Sequence, residues 1–264
     1  MTAHSIAIAA HTDIGRIRTI NEDAYLVADL SPARTLAVDG SAQPAAGREL
    51  LLALSDGMGG HAAGEVASKL TLSALLEALR ANVGGEPEAR LEAAVLHANT
   101  TVHAAAATQG KEGMGATLTA ILLIDGVAYV AEIGDSRAYL LRGESFVQLT
   151  RDQSLVQTLV DSGVMTAEEA LHSPVKNVIT QAVGTDPEVH PVISRVQLQA
   201  TDALVLCSDG ITNAIKDAEI AETLHAQPLV AASRSLIELA NARGGDDNLT
   251  VILVRLGAAP EPAA

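Results

Sequence analysis

Leu50-Leu51-Leu52-Ala53-Leu54-Ser55-Asp56-Gly57-Met58-Gly59-Gly60-His61 is the stretch on which the reading of this chain turns. Its five leading apolar residues are too few for a typical helix and do not alternate with polar ones, so they read as a strand buried on both faces. The run stops at an aspartate followed by glycines. A carboxylate at the end of such a strand sits at the rim of a dry core, where its charge is costly unless cations or donors compensate it. The glycines let the backbone turn sharply and bring a main-chain carbonyl beside a bound cation. Taken alone, the string is also compatible with a capped Gly-rich turn.

The arrangement recurs. Ala203-Leu204-Val205-Leu206-Cys207 leads into Ser208-Asp209-Gly210, and Leu249-Thr250-Val251-Ile252-Leu253-Val254 follows Asp247-Asn248. Asn21-Glu22-Asp23 and Gly134-Asp135-Ser136 place two more aspartates beside strand-like residues. Each Asp-Gly on its own is an ordinary turn. Gathered by folding, such carboxylates form the hard anionic oxygen cluster that Mg²⁺ or Mn²⁺ requires.

Composition narrows the function classes. The formal charge of −15 over 264 residues, without a Lys/Arg cluster, excludes a protein built to neutralise nucleic-acid phosphates. Solubility explains the acidic excess, and bound divalent ions would offset part of it. Met1-Thr2-Ala3-His4-Ser5 is no signal peptide, and no run reaches the roughly 18 apolar residues of a membrane span, so a soluble cytoplasmic protein without a membrane partner is expected. Cys207, the single cysteine, lies inside an apolar run and reads as a packing residue. Asn213 rather than arginine stands six residues on, which argues against a cysteine-dependent phosphatase. No His-x-His or His-Glu-x-x-His spacing supports a zinc site. With no Trp and one Phe, the core must be aliphatic.

No linker divides the chain, so residues 1–256 read as one domain and 257–264 as a disordered Ala/Pro-rich tail. Strands are expected at His4–Thr12 and Asp23–Asp29, then a surface loop from about Ser31 to Gly47, the buried strand, and helices at about Gly64–Ala81 and Glu88–Ala107. Leu91, Val95, Ala98, Val102 and Ala105 form one helical stripe that should cover a sheet. From Ala116 to Leu149, turns at Asp125-Gly126 and Arg142-Gly143-Glu144 predict an antiparallel meander. An insertion at about 153–185 precedes a predicted hairpin over Val192–Cys207, then helices over Ile211–Arg243 and a last strand ending near Arg255. The fold class that follows is α+β, two packed antiparallel sheets with helices outside.

Gly15-x-x-Arg18-x-x-Asn21-Glu22-Asp23-Ala24, the Asp56-to-His61 string, Gly115-Ala116-Thr117-Leu118, Gly134-Asp135-Ser136-Arg137, Ser208-Asp209-Gly210 and Asp247-Asn248-Leu249-Thr250-Val251 together resemble the metal-dependent protein phosphatases of type 2C. The motifs stand in the family's order and cover about residues 4–255. The resemblance implies an αββα sandwich, with residues 153–185 as a flap beside the active site. It also implies a two-metal centre of Mn²⁺ or Mg²⁺ on Asp23, Asp56, the Gly57 carbonyl, Asp209 and Asp247, and a third, weaker ion on Asp135 with Asp209. Arg18 would fork onto the substrate phosphate. Asn248 would orient its neighbour. Glu22 would either contact metal-bound water or be solvated, and His61 would either protonate the departing alkoxide or stand exposed. Gln153 and Gln181 depart from the pattern, where the family commonly has His and Arg.

The implied activity is hydrolysis of phosphoserine and phosphothreonine in proteins by a bridging hydroxide at the two-metal centre, with no covalent phosphoenzyme. The implied setting is a bacterial monomer acting on phosphorylated proteins opposite a cognate serine/threonine kinase. Two other readings stay open at this point: a catalytically silent module that binds phosphoproteins, and an acidic scaffold whose aspartates are turn caps.

Overall fold

The computed structural model describes residues 5–31, 34–36, 49–59, 63–109 and 113–257. The chain opens with β1 (Ser5–Asp13), β2 (Asp23–Asp29), β3 (Arg34–Thr35) and β4 (Glu49–Met58), then α1 (Ala63–Ala81) and α2 (Pro87–Gln109). Next come β5 (Gly115–Ala116), β6 (Leu118–Ile124), β7 (Val127–Ile133), β8 (Arg137–Arg142) and β9 (Ser145–Gln148), followed by the short helices α3 (Leu155–Asp161) and α4 (Ala167–Leu171). The last third holds β10 (Val192–Gln197), β11 (Ala203–Cys207), α5 (Asp209–Ala214), α6 (Asp217–Ala226), α7 (Leu229–Ala242) and β12 (Leu249–Gly257).

Two antiparallel sheets face each other. One runs β1-β12-β11-β8-β9, the other β10-β7-β6-β4-β2-β3, with β5 paired to β4. The unbroken apolar run of β4 now has its cause: Leu50, Leu52 and Leu54 point into the core between the sheets with Ile8, Leu204, Leu206, Ile252 and Val254, while Leu51 and Ala53 point outward under the helices. There Leu91, Val95, Ala98 and Val102 of the α2 stripe are fully buried, together with Leu75 and Leu79 of α1. On the opposite outer face, Val205, Cys207, Val251 and Leu253 meet Ile211, Leu236 and Ala240 of α5 and α7. Each fully buried leucine contributes about 1.5–3 kcal/mol of apolar burial, so the aliphatic core can fix the strand ends without aromatic bulk.

The structure departs from expectation in three places. The strands from Leu118 to Gln148 are two hairpins rather than one meander, because the chain leaves the seven-stranded order after β7 and enters the other sheet with β8. The first hairpin turn is as predicted, with positive φ at both Asp125 (48°) and Gly126 (82°). Likewise β10 and β11 are not a hairpin: β10 edges one sheet beside β7, and β11 lies between β12 and β8 in the other. Buried Asp202 makes that crossing, accepting two hydrogen bonds from the Arg142 guanidinium (3.0 and 2.6 Å) at the end of β8. Finally, β12 includes Gly257, and residues 258–264 lie outside the described residues, as does most of the expected loop over 31–47.

Candidate metal and phosphate site

The antiparallel order places five chain segments at one end of the sandwich. Asp23 opens β2 and is the direct cross-strand partner of Asp56, near the end of β4. Asp209 follows β11, and Asp247 precedes β12, the neighbour of β11. Asp135 sits in the crossing between β7 and β8, where Gly134 takes φ 101° against the side chain of Thr117. Arg18, Glu22, Asp56, Gly57, Asp135, Asp209, Asp247 and Asn248 all line one cavity of about 240 Å³. Asp23 lies behind this wall, 5% exposed, and accepts a hydrogen bond from Ser208 Oγ (2.7 Å). His61 lies outside the described residues.

Burial and mutual repulsion disturb this cluster strongly. Burial raises Asp23 to about 6, against the pull of the Thr250 and Ser208 hydroxyls, and Asp247's charge adds to the rise. Asp56 is held well above the ordinary carboxylate range by burial and then by the charges of Asp23, Asp209, Asp135 and Asp247. Asp209 is pushed up to about 8 by burial, then by Asp135, Asp247 and Asp23. Asp135 reaches about 6 through burial and Asp152. Four groups that feel one another's charge share one site.

Cations suit this donor set. Glu22 Oε1, Asp23 Oδ1 and Asp209 Oδ1 are buried acceptor oxygens with no hydrogen-bond partner, and a hard divalent ion is the species that satisfies such atoms. Among the described residues, no three Asp, Glu, His or Cys side chains are drawn together to metal-ligand spacing. One carboxylate is instead compensated by protein: the Arg18 guanidinium donates to Asp247 Oδ2 at 2.8 Å.

Asn248 staples the segment that carries Arg18 and Glu22. Its Nδ2 donates to the carbonyls of Ile14 and Ile20, both at 3.0 Å, and its Oδ1 accepts from the Glu22 N–H at 2.8 Å. Sequence reasoning placed Asn248 beside the site but missed that it closes this loop. It also missed Thr117, whose Oγ1 accepts from the Asp56 N–H (3.0 Å) and lies 2.9 Å from Ser136 Oγ. Asn213 was read only as a missing arginine, yet its Nδ2 donates to Asp209 Oδ2 (3.1 Å), and Lys176 of the flap donates to Asn213 Oδ1 (3.3 Å). The i, i+4 spacing from Asp209 to Asn213 was a usable signal. The two departures from the family pattern touch each other: Gln153 Oε1 accepts from both the Gly134 N–H (2.9 Å) and Gln181 Nε2 (3.0 Å). They hold the loop that bears Asp135.

Comparison with known proteins gives the family. The family profile of protein phosphatase 2C matches residues 37–253. The chain belongs to the protein phosphatase 2C family. A Mycobacterium tuberculosis relative, serine/threonine protein phosphatase PstP, is 41% identical over 246 residues, which is 93% of this chain and 44% of that protein. The chain thus spans less than half the length of this 2C-family relative. Protein phosphatase PhpP of Streptococcus pneumoniae is 37% identical over 253 residues, covering 94% of this chain and 97% of that one. The solved catalytic domain of PstP, in complex with two manganese ions, is 39% identical with a TM-score of 0.81, covering 96% of this chain and 99% of that one. The two-sheet sandwich flanked by helices is accordingly the 2C-type architecture.

Proposed function

We propose that this chain hydrolyses phosphoserine and phosphothreonine in proteins, using divalent cations held by Asp23, Asp56, the Gly57 carbonyl, Asp209 and Asp247, with Asp135 contributing to a further, weaker site. The observation that carries the reading is the single cavity lined by five carboxylates and Arg18, with orphaned buried oxygens among the acidic groups. The likeness to PstP with two manganese ions supports the choice of Mn²⁺ or Mg²⁺. Bound cations of this kind supply Lewis acidity and activate water for in-line attack on phosphorus.

The chain's own residues do the rest. Arg18 presents a planar, permanently charged fork at the cavity mouth, and its side chain is 46% exposed, so its bond to Asp247 is weak enough for a phosphate to compete. Asn248 fixes the loop from which Arg18 reaches. Ser208 donates to the Asp23 carboxylate and restrains its rotation, while the Thr117 hydroxyl accepts from the Asp56 backbone N–H and fixes the strand end that carries that acid. Glu22 fits the role of accepting from a water in the site, since one of its oxygens is buried and unpaired. His61 remains the proposed donor to the leaving oxygen.

The proposal includes residues 1–256 as one catalytic domain, a cytoplasmic monomer, phosphorylated proteins as substrates and a kinase as their source. No described helix is long and apolar enough to cross a membrane. The test is release of phosphate from a phosphothreonine peptide with Mn²⁺. EDTA and Asp209→Ala should each abolish it, and Asp135→Ala should weaken it less. Turnover that survives EDTA overturns the proposal.

A further inference from the structure

A second cavity, of about 180 Å³, opens between the flap and the body of the protein. Its flap side carries an apolar patch, Val156 and Val160 of α3 with Ala167, Ala170 and Leu171 of α4, beside the polar side chains of Gln157 and Lys176. Leu171 is 65% exposed, an unusual position for a large aliphatic side chain beside a concave surface. The opposite side includes Asp135 and Asp209, which together with Asn177 of the flap also line the catalytic cavity. The two cavities therefore adjoin across a shared wall.

We infer that this cavity is a specificity subsite that takes an aliphatic side chain of the substrate, two residues from the phosphorylated one. The inference rests on the phosphatase reading, because it is the phosphate that would bring the peptide to the shared wall. An extended peptide advances about 3.3–3.6 Å per residue and turns every second side chain to the same face. With the cavities sharing a wall, the residue two positions away, about 7 Å along the chain, is the nearest one on the same face as the phosphothreonine and is the one assigned to the second cavity. The volume admits one leucine-sized side chain, since a cavity of about 150 Å³ already holds benzene. Charge works against an acidic occupant: among the charged lining residues the carboxylates Asp135, Asp152 and Asp209 outnumber Arg137 and Lys176, and Lys176 is drawn to Asn213 Oδ1 (3.3 Å) and to the charge of Asp209. The Arg137 guanidinium is engaged by both oxygens of Asp152 (2.8 and 2.7 Å) and is not free for an incoming acid. Asp135 and Asp209 at the shared wall repel one.

The test compares phosphothreonine peptides carrying Leu, Ala or Asp at the −2 or +2 position, with Mn²⁺, against p-nitrophenyl phosphate, which has no such side chain. Leu should exceed Ala about tenfold in kcat/KM at one of the two positions, and Asp should fall below Ala. In Leu171→Ser and Val160→Asp, both at partly exposed positions, the Leu/Ala ratio should fall to about two or less. Because this is a ratio within one variant, loss of folded protein cannot imitate the effect. Turnover of every peptide without a Leu preference, or a ratio that survives both substitutions, overturns the inference alone. Absence of turnover on p-nitrophenyl phosphate as well overturns the phosphatase reading and the subsite with it.

Discussion

Replacing Asp56 with asparagine should make the cation-free protein more stable while removing its activity. Asp23 and Asp56 are directly opposed across β2 and β4, a geometry that puts Cβ atoms about 4.5–5.5 Å apart. Two full charges roughly 5 Å apart at an effective dielectric of about 20 repel by about 3 kcal/mol. Asparagine keeps the shape and discards that repulsion, so we expect a gain of about 2–3 kcal/mol in EDTA at pH 8. For a domain of this size that is roughly 4–12 °C in Tm. The pH dependence follows from the raised pKa of Asp56. A carboxyl whose folded pKa lies above its unfolded value of 3.8 leaves stability intact at low pH and lowers it as pH rises toward the folded value. The advantage of the variant should therefore be small near pH 4.5 and larger at pH 8. Mn²⁺ should reverse the ranking, because a ligand at about 1,000 times its Kd adds about 4.1 kcal/mol to wild type only, more than the advantage of the variant. Thermal unfolding in EDTA and in Mn²⁺ at both pH values decides the matter. A variant less stable than wild type in EDTA at pH 8, or one that gains equally from Mn²⁺, refutes the reasoning.

Three further outcomes are expected. Asn213→Leu should weaken Mn²⁺ binding about tenfold by calorimetry, because Asp209 Oδ2 loses the donor that orients it, and Lys176→Met should act in the same direction with smaller effect. Glu132 is buried and accepts from the Arg151 N–H at 2.7 Å; burial lifts its carboxyl to about 7 from the usual 4.5. Stability is thus lost as pH climbs from about 4.5 through 7, and Glu132→Gln, which keeps the acceptor, should gain about 1–2 kcal/mol in urea unfolding at pH 8.5 and almost nothing at pH 4.5. Gly210→Ala would drive a Cβ into the carbonyl of Asn248, so it should cost about 2–3 kcal/mol in the same assay and weaken Mn²⁺ binding by disturbing Asp209 and Asp247 on either side.

The parts of the fold that were legible are those in which a local pattern has a single physical solution. An unbroken apolar run of five residues ending in Ser-Asp-Gly must be a strand covered on both faces, and both β4 and β11 are. Pairing between distant strands has no such local signal. Val192–Gln197 lies close in sequence to Ala203–Cys207, and nothing in the intervening residues announces that buried Asp202, gripped by Arg142, turns the chain into the other sheet. The site divides in the same way. Its aspartates are marked by the strands that present them, whereas Lys176 reaches Asn213 across 37 positions and Gln181 reaches Gln153 across 28, contacts that exist only once the flap has folded back.

That division separates the acidic groups into two kinds. Asp23, Asp56 and Asp247 are borne on or beside paired strands in the core, and their backbones are fixed by the sheet ladders or by Asn248. Asp135 and Asp209 instead depend on residues attached to the flap, through Gln153 to Gly134 and through Lys176 to Asn213. The flap is closed on itself by Leu155 N–H to Val178 O (2.8 Å) and tied to the body by Gln153 N–H to Gly134 O (2.8 Å) and Ala116 N–H to Val183 O (3.0 Å). Any displacement of its two short helices must therefore pass through contacts that also orient Asp135 and Asp209. With cations held at those two aspartates as proposed, a ligand beneath the flap that displaces these contacts would change cation affinity there, and the cations would change its binding by the same factor. The rigid three would hold their geometry throughout, so substitutions at Lys176 or Asn213 should alter the affinity of the sites that use Asp135 and Asp209 before they disturb any other.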